Sequence, residues 1–534
     1  SIHQRSPNHA YDRMIQLYLV SFLSVILAIL YSVIRERYKY WKKRNVIHPD
    51  PRFLLGNYND FILMRKNMSE VLHNILKDYP DEPYIGVFYG TEPTLLVQDP
   101  EIVKLITTKD FYYFHGREAT NYVNREGSTQ NLFFDAGDRW KVTRQNLSPL
   151  FSTAKMKKMF PLIEQCCHQF ERIIDEERLV TNDIEVRTMM ARFTIACICS
   201  CAFGVDVDTL AENYEQNPFF NIGHVIFDNT IKRTALNIMR AIWPAVFYAL
   251  GYKIFPTDLE EFFKSFLTKI FEGREYKPTN RHDFIDMVLR LKEKNIITGD
   301  SIKNWENMKI QLPVTDQFMI AQCMLFFGAG FETSAATLGY TLYELAKHPN
   351  AQRKAHEDID EFMKKHQNKL VYECISELPY VEMCVDETLR LYPALGVVMR
   401  EIMEDYVLPS GLKLSKGLRV HLPLYHIHRH PKYFPEPEKF RPERFSPEER
   451  NNITSHSYVP FGGGPRICIG MRFAKMQMLA GLVTILKKYD VALAEGMPEK
   501  LQFDPRAIVT QPIGGINLKF TPREGWENRM FAKD

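Results

Sequence analysis

The longest uncharged apolar run of the chain lies near its N-terminus. Residues 14–34 carry no charged side chain, and a helix of this length crosses a hydrocarbon core of about 30 Å. Six basic residues and one acid follow at 35–44, which predicts that the chain beyond them faces the cytosol. A cleaved signal peptide is the alternative, but its apolar stretch is normally only about 7–15 residues long. The pattern therefore predicts four parts: a lumenal tail (1–13), a transmembrane signal-anchor (14–34), a basic and proline-containing linker (35–52) and one large domain (53–534).

The pattern beyond the linker predicts a mainly helical domain with small β elements. Residues 84–98 are rich in β-branched and aromatic side chains around a Gly-Thr turn, which predicts a β-hairpin. From Trp140 onward, apolar residues recur at helical spacing for about 250 residues. Short strands are predicted at 405–414 and 515–520. The fold class is therefore mainly α with small β-sheets.

One predicted helix, residues 316–347, is apolar on nearly all of its sides. Pro313 and Pro349 bound it, as prolines commonly bound helices. A helix without a polar face lies in lipid or in the protein interior. Glu332 in its middle favours the interior.

The sequence 328–334, GAGFETS, is unusual inside such a helix. Gly328 and Gly330 each cost about 1 kcal/mol relative to alanine, and a buried glutamate is costly unless it is paired. Close packing of another helix explains the glycines. A flat or diatomic ligand against the backbone explains them equally, with Glu332 and Thr333 as a path for protons.

A glycine-rich loop near the C-terminus surrounds one cysteine. Residues 461–470 read FGGGPRICIG and lead into a helical run. A buried structural thiol and a thiolate held at a helix start for a metal both explain Cys468. The nine cysteines are odd in number and scattered, so they predict neither a disulfide framework nor a zinc site, and the domain is expected in a reducing compartment.

Charge and composition add little to this picture. The net charge is +3 over 534 residues, and no zinc finger or RNA-binding signature occurs, so no nucleic-acid partner is expected.

Taken together, the motifs resemble those of the cytochromes P450, which are haem-thiolate monooxygenases. FGGGPRICIG matches the cysteine loop F-x-x-G-x-R-x-C-x-G, and AGFETS (329–334) matches the oxygen-binding motif. ETLR (387–390) with PERF (442–445) matches the Glu-Arg-Arg triad, and WKVTR (140–144) matches W-x-x-x-R. Because these motifs occur in family order behind an anchor, the sequence is identified as a member over residues 50–525. The implied fold is a triangular prism built on a long central helix.

The resemblance implies haem b with Cys468 as the iron ligand, and a thiolate in that position pushes electron density toward O–O cleavage. It also implies a fold-holding triad of Glu387, Arg390 and Arg444. The other expected cofactor contacts are Phe461 near the sulfur, Arg466, Trp140, Arg144 and Arg400 at the haem propionates, and Ala329 and Gly330 against the macrocycle. Glu332 and Thr333 are the expected catalytic pair, which organises water and delivers protons.

The implied reaction inserts one atom of O2 into a lipophilic small molecule. Electrons come from NADPH through a separate NADPH-cytochrome P450 reductase, with cytochrome b5 as an optional second donor. Short matches such as PDEPYIGVF (80–88) favour the insect microsomal branch linked to xenobiotic and plant-toxin oxidation, in the endoplasmic reticulum membrane with the catalytic domain on the cytosolic face. A biosynthetic enzyme acting on an endogenous lipid, hormone or pheromone is the alternative. A reductase-independent isomerase and a non-catalytic haem sensor are further alternatives.

By the same resemblance, substrate contacts come from 115–135, 210–250, the start of the central helix, 394–399 and 508–514. The aromatic stretch 239–251 either dips into the bilayer surface or packs internally. Its sequence does not decide between the two.

Overall fold

The computed structural model describes residues 7–181, 183–206, 209–210, 213–303 and 308–532. Residues 1–6 of the predicted lumenal tail lie outside the described residues. The α-helices are α1 (Pro7–Arg37), α2 (Asn59–Ile62), α3 (Met68–Leu76), α4 (Pro100–Lys104), α5 (Gly137–Leu147), α6 (Thr153–Val180), α7 (Val186–Ile198), α8 (Pro218–Ile226), α9 (Ile231–Ile242), α10 (Pro244–Ala249), α11 (Thr257–Gly273), α12 (Phe284–Lys292), α13 (Asp316–Lys347), α14 (Pro349–Lys365), α15 (Pro379–Leu391), α16 (Leu424–Ile427), α17 (Pro447–Arg450) and α18 (Met471–Leu486).

The strands form four small sheets. A four-stranded sheet has the order β1-β2-β9-β6, a three-stranded sheet has the order β10-β11-β3, and β4-β5 and β7-β8 are two-stranded. The strands are β1 (Tyr84–Tyr89), β2 (Glu92–Val97), β3 (Asp183–Glu185), β4 (Ile296–Asp300), β5 (Lys309–Pro313), β6 (Val398–Glu401), β7 (Tyr406–Val407), β8 (Lys413–Leu414), β9 (Arg419–Leu422), β10 (Tyr489–Leu493) and β11 (Asn517–Pro522). The predicted fold class is confirmed, and the predicted hairpin is β1–β2, which pairs antiparallel.

The predicted central helix is α13, and it runs over the residues that the sequence indicates. The Thr315 hydroxyl caps it by accepting a hydrogen bond from the amide of Phe318. Helices α7, α15 and α18 pack against α13, and most of its side chains are buried. This helix is therefore the centre of the main hydrophobic core.

Among the described residues, three segments are long and apolar enough to cross a membrane. The most apolar window of Asp316–Lys347 is 72% buried and that of Val186–Phe203 is 89% buried, whereas that of Met14–Arg44 is 6% buried. The burial of the other two leaves the N-terminal helix as the membrane-spanning candidate.

The segment predicted as a linker, 35–52, is folded against the domain. Residues 35–37 belong to α1, and Trp41 is fully buried in the core beneath the four-stranded sheet. The indole Nε1 of Trp41 donates to the carbonyl of Val87 on β1 at 2.9 Å. The segment that follows α1 is thus joined to the sheet through a buried side chain.

Candidate functional site

Cys468 lies at the end of a compact loop before α18. Its amide donates to the carbonyl of Phe461 at 2.9 Å, and the amide of Ile467 donates to the carbonyl of Gly464 at 3.0 Å. All nine cysteines are within the described residues, and eight of them are buried whereas Cys468 is exposed. The cysteine of this loop is therefore the one whose side chain solvent reaches.

The surroundings of Gly464 leave no room for a side chain. Its φ is +64°, and a Cβ atom there would lie 1.7 Å from the carbonyl oxygen of Thr107. A left-handed φ suits glycine, and no side chain fits against that oxygen. The loop therefore packs directly on the backbone of the segment that follows α4.

Helix α18 begins at Met471, which corrects the prediction that Cys468 lies at the helix start. Gly470 is the residue that precedes the helix, and its amide donates to the Cys468 sulfur. Solvent reaches the Cys468 side chain, although many protein atoms surround its sulfur. Burial raises the pKa of the Cys468 thiol, although the Gly470 amide and the Arg144 guanidinium lower it.

This balance bears on the protonation state of Cys468. The Gly470 amide favours the thiolate, as the sequence indicates, while burial opposes it. Coordination to a metal removes the proton from a thiol outright. A metal bound to the sulfur would therefore hold it as a thiolate.

Helix α13 has an accessible face in the middle of its buried length. Ala329 is exposed and Gly330 and Thr333 are half-buried, whereas Phe331 and Glu332 are buried. The Thr333 hydroxyl donates to the carbonyl of Ala329 at 2.9 Å. This bond back to the preceding turn leaves the Thr333 oxygen free to accept a hydrogen bond from water.

Helix α18 packs on α13 at this face. The side-chain amide of Gln477 donates to the carbonyl of Gly330 at 3.4 Å. The loop that carries Cys468 leads directly into α18, so the fold brings both motifs to one region of the core.

Four arginines, Arg117, Arg144, Arg400 and Arg466, form a cluster near Cys468. Burial and the neighbouring positive charges of Arg117, Arg400 and Arg144 hold the pKa of Arg466 well below its usual range. Burial lowers the pKa of Arg117 to about 9 and that of Arg400 to about 10, and the Cys468 sulfur lies close enough to raise the pKa of Arg117. Four cations share one buried region.

The cluster has few partners of opposite charge. Arg466 lies 4.6 Å above the ring of Trp140, and Arg117 lies 3.9 Å above the ring of Phe133. The Nε atoms of Arg117, Arg400 and Arg466 are buried without a hydrogen-bond partner in the described part of the chain, and within it none of the four arginines is paired with a carboxylate. Arg144, Arg400 and Arg466 donate to backbone carbonyls instead. Buried cations without a paired anion are costly, so this region fits an anionic group.

The Glu332 carboxylate accepts its hydrogen bonds from groups outside the arginine cluster. Its Oε1 atom accepts one hydrogen bond from Arg187 and one from Gln511, each at 2.7 Å. Although burial opposes it, the Glu332 carboxylate raises the pKa of Arg187. A cavity of about 180 Å³ adjoins this group, and Phe220, Phe227 and Phe331 line it together with His224 and Asn229.

The predicted triad is present and fully buried. Arg390 donates from Nε and Nη2 to the two carboxylate oxygens of Glu387 at 2.7 and 2.8 Å. Arg444 donates to Oε1 of Glu387 at 3.3 Å. The remaining donors of Arg390 reach backbone carbonyls of residues 428, 437 and 439. The triad ties α15 to the segment that leads to the cysteine loop.

The sequence comparisons agree with this geometry. The profile of the family described as "Cytochrome P450" matches residues 48–520. The chain belongs to the cytochrome P450 family. Cytochrome P450 6B2 of Helicoverpa armigera is 35% identical, over 95% of this chain and 99% of its own length. Cytochrome P450 6B1 of Papilio polyxenes is 34% identical, over 95% of this chain and its full length, and probable cytochrome P450 6g2 of Drosophila melanogaster is 32% identical, over 94% and 98%.

These relatives confirm the predicted insect-type branch, and a cytochrome P450 is a haem b monooxygenase. The residues of this cytochrome P450 fit that cofactor. Cys468 offers an accessible sulfur, and the arginine cluster offers unpartnered buried donors for two carboxylates, which guanidinium groups recognise well. The accessible face of α13 leaves room beside the backbone. Cys468 would hold the iron, and Arg117, Arg144, Arg400 and Arg466 would hold the propionates.

Arg117 is the member of this set that sequence reasoning missed. No family motif quoted above contains it, and the local sequence HGRE (115–118) has no residue spacing that indicates a cofactor contact. The structure finds it by its burial and its proximity to Arg400 and Cys468.

Proposed function

We propose that this cytochrome P450 is a membrane-bound enzyme that inserts one atom of O2 into a lipophilic small molecule. Electrons come from NADPH through a separate NADPH-cytochrome P450 reductase, with cytochrome b5 as an optional second donor. The observation that carries the proposal is the buried arginine cluster beside the accessible sulfur of Cys468. A bound haem supplies the activation of O2.

In this proposal Thr333 handles protons on the accessible face of α13, and Glu332 handles them on the side of the cavity. Because the Thr333 hydroxyl already donates to Ala329, its oxygen acts as an acceptor that fixes a water molecule. Glu332 is held by Arg187 and Gln511 beside the cavity described above. Glu332 therefore passes protons between that cavity and the water at Thr333.

A lipophilic substrate is supported by the apolar lining of this region. Phe220 and Phe227 line the cavity beside Glu332. Near the start of the central helix, Phe326 is half-buried and stacks on Phe284 with ring centroids 4.2 Å apart, and Phe327 is fully buried. We therefore base the proposed substrate surface on Phe220 and Phe227.

We place the enzyme in the endoplasmic reticulum membrane, with α1 as the anchor and the catalytic domain on the cytosolic face. The exposure pattern of residues 239–251 is compatible with both predicted placements, at the bilayer surface and packed inside the domain. Trp243, Val246 and Leu250 are exposed, whereas Ile242 and Phe247 are buried. Its exposed side faces the lipid surface in this arrangement, and its buried side packs on the domain.

The physiological role we propose is oxidation of foreign lipophilic compounds such as plant toxins and insecticides. The support is the similarity to the insect relatives named above. The test is a spin-shift titration across plant toxins, insecticides, fatty acids and hormones, followed by NADPH-dependent turnover with added reductase. Binding and turnover of several unrelated foreign compounds is the expected result. Tight binding of one endogenous lipid alone would overturn the detoxifying role.

A further inference from the structure

The segment that carries Arg117 is attached to the edge of the four-stranded sheet. The amide of Glu401 on β6, an edge strand, donates to the carbonyl of Gly116 at 3.0 Å. The carboxylate of Glu401 accepts a hydrogen bond from the amide of Thr120 at 3.2 Å. These two bonds lie on either side of residues 117 and 118, so the backbone around Arg117 follows the sheet.

Arg117 and Glu118 are consecutive, but their side chains contact different parts of the protein. The Arg117 guanidinium lies near Cys468. The Glu118 carboxylate lies 3.0 Å from Nε2 of His421 on β9 and 3.8 Å from Nη1 of Arg419 on the same strand. Glu118 therefore ties the segment to the sheet through residues that lie outside the arginine cluster.

Tyr58, His421 and Glu118 form a hydrogen-bond chain in the interior. Tyr58 and His421 are fully buried. A carboxylate only accepts hydrogen bonds, so Nε2 of His421 donates to Glu118. In an uncharged imidazole Nδ1 then accepts from the Tyr58 hydroxyl, which lies 2.7 Å away. Burial raises the pKa of Glu118, but Arg419 and the His421 hydrogen bond lower it further, and the net shift is downward.

The far end of this chain is held rigidly. Strand β9 has a neighbour on each side, because His421 lies opposite Leu96 on β2 and opposite Met399 on β6. The Tyr58 ring stacks on that of Tyr89 on β1, with centroids 4.6 Å apart. An interior strand and a stacked, buried ring have little freedom to move, so the chain keeps Glu118 at one place on the sheet.

Arg117 needs such a hold because its neighbours repel it. The positive charge of Arg400 adds to the effect of burial in lowering the pKa of Arg117. Within the described part of the chain, Nε of Arg117 is buried without a hydrogen-bond partner. Repulsion between the two guanidiniums favours movement of Arg117 out of the cluster. Glu118, fixed at the next position in the sequence, opposes that movement.

We propose that Glu118, held by His421 and Tyr58, is a positioning residue that keeps Arg117 in place for a haem propionate. The proposal rests on the proposed contact between Arg117 and the haem. Its consequence is that the loss of Glu118 weakens haem binding only through Arg117. Residues that act through one another have non-additive effects, so a double-mutant cycle separates this role from a general loosening of the fold.

The test is the rate of haem transfer from the full-length haem protein to an excess of an apo-globin. The cycle consists of the wild type, Glu118→Leu, Arg117→Leu and the double variant. Glu118→Leu keeps a side chain of similar size but removes its hydrogen bond and its charge. The carbon monoxide difference spectrum shows that each variant holds haem on the thiolate before transfer begins.

A pair of histidine variants tests the buried chain by a second route, which does not depend on Glu118→Leu folding. His421→Leu removes both hydrogen bonds of the chain. His426→Leu is its matched control, since His426 is also buried but contacts His73 and Gln98 instead. Urea unfolding of both variants measures how much each change destabilises the fold as a whole.

The expected result is a several-fold faster haem transfer in Glu118→Leu and in His421→Leu, and the wild-type rate in His426→Leu. When Arg117→Leu is already present, Glu118→Leu should cause no further increase. An equal increase with and without Arg117, or equal rates in the two histidine variants, would overturn the proposal. Arg117→Leu without any effect would overturn it as well, whereas the thiolate haem spectrum of the wild type would still support the proposed activity.

Discussion

The four guanidiniums near Cys468 repel one another in a buried region. Burial lowers the pKa of Arg117 to about 9 and that of Arg400 to about 10. Each cation is therefore less stable there than in water, and an anionic cofactor reverses that penalty. At the scale of single residues, the lowered pKa values of these arginines are the clearest indication that the region binds an anionic ligand.

We predict that Arg117→Leu weakens haem binding. A hydrogen bond to a charged group is worth about 1.5–3 kcal/mol, which corresponds to about a 10- to 150-fold faster loss of haem. The measurement is the rate of haem transfer to an excess of an apo-globin. Arg290→Leu, which changes an exposed arginine on α12, is the matched control. Equal transfer rates for both variants would contradict the assignment of Arg117.

We predict that Thr333→Ala uncouples turnover. Without the Thr333 oxygen the ordered water loses an acceptor, so protons arrive at the wrong place and peroxide forms. Positioned proton transfer contributes typically about 10²-fold or more, so product per NADPH should fall by about tenfold or more. The control is Thr337→Ala, because Thr337 makes the same kind of back-bond to Thr333 at 2.8 Å but is buried. If the two variants couple equally well, Thr333 has no role in proton delivery.

At the scale of elements, buried polar groups join pieces of the chain that are distant in sequence. Glu387 on α15 accepts from Arg390 and Arg444 and also from the backbone amide of Arg441 at 2.9 Å. These bonds join α15 to residues 436–445, which precede the cysteine loop. The triad therefore fixes the position of this segment relative to α15.

We predict that Glu387→Gln destabilises the fold by about 3–5 kcal/mol, the usual cost of leaving buried charges without their partner. The measurement is urea unfolding of the haem protein. Glu382→Gln is the matched control, since Glu382 lies on the same helix but its pair with Lys475 is partly exposed. That pair is worth at most about 1 kcal/mol. Similar losses in both variants would show that the triad is not a fold-holding element.

The bounds of the long elements could be predicted because their signals are local. Prolines bracket α13, and its apolar residues surround it on all sides. The start of α18 could not be predicted, since the backbone after Cys468 makes one more turn before the helix forms at Met471. Arg117 and Trp41 were missed for another reason: each owes its role to contacts with segments remote in sequence, and no local pattern records such contacts.

At the scale of the whole molecule, four buried histidines and the half-buried His73 make stability depend on pH. Burial lowers the pKa of all members of this group, to about 3 for His73, His426 and His428 and to about 4 for His115 and His356. Unfolded histidines titrate near 6.5. The unfolded chain thus binds more protons than the folded chain between about pH 6.5 and 3, so stability is full above 6.5 and falls as the pH decreases through this window.

We predict a melting temperature that is constant at neutral pH and falls progressively below about pH 6.5. The measurement is calorimetry or circular dichroism of the haem protein from neutral to acidic pH. His426→Gln should reduce the steepness of the fall, because it removes one buried group that takes up a proton on unfolding. A melting temperature that rises on mild acidification would contradict the buried, neutral state of these histidines.

The proposed activity depends most directly on one bond, from the Cys468 sulfur to haem iron. The decisive measurement is the carbon monoxide difference spectrum of the reduced protein, in the wild type and in Cys468→Ser. Cys374→Ala, which removes one of the eight buried thiols, is the control. We predict the red-shifted Soret band of thiolate-ligated haem in the wild type and in the control, and its loss in Cys468→Ser. A wild-type band at the position of imidazole-ligated haem, or a band that survives in Cys468→Ser, would contradict the account.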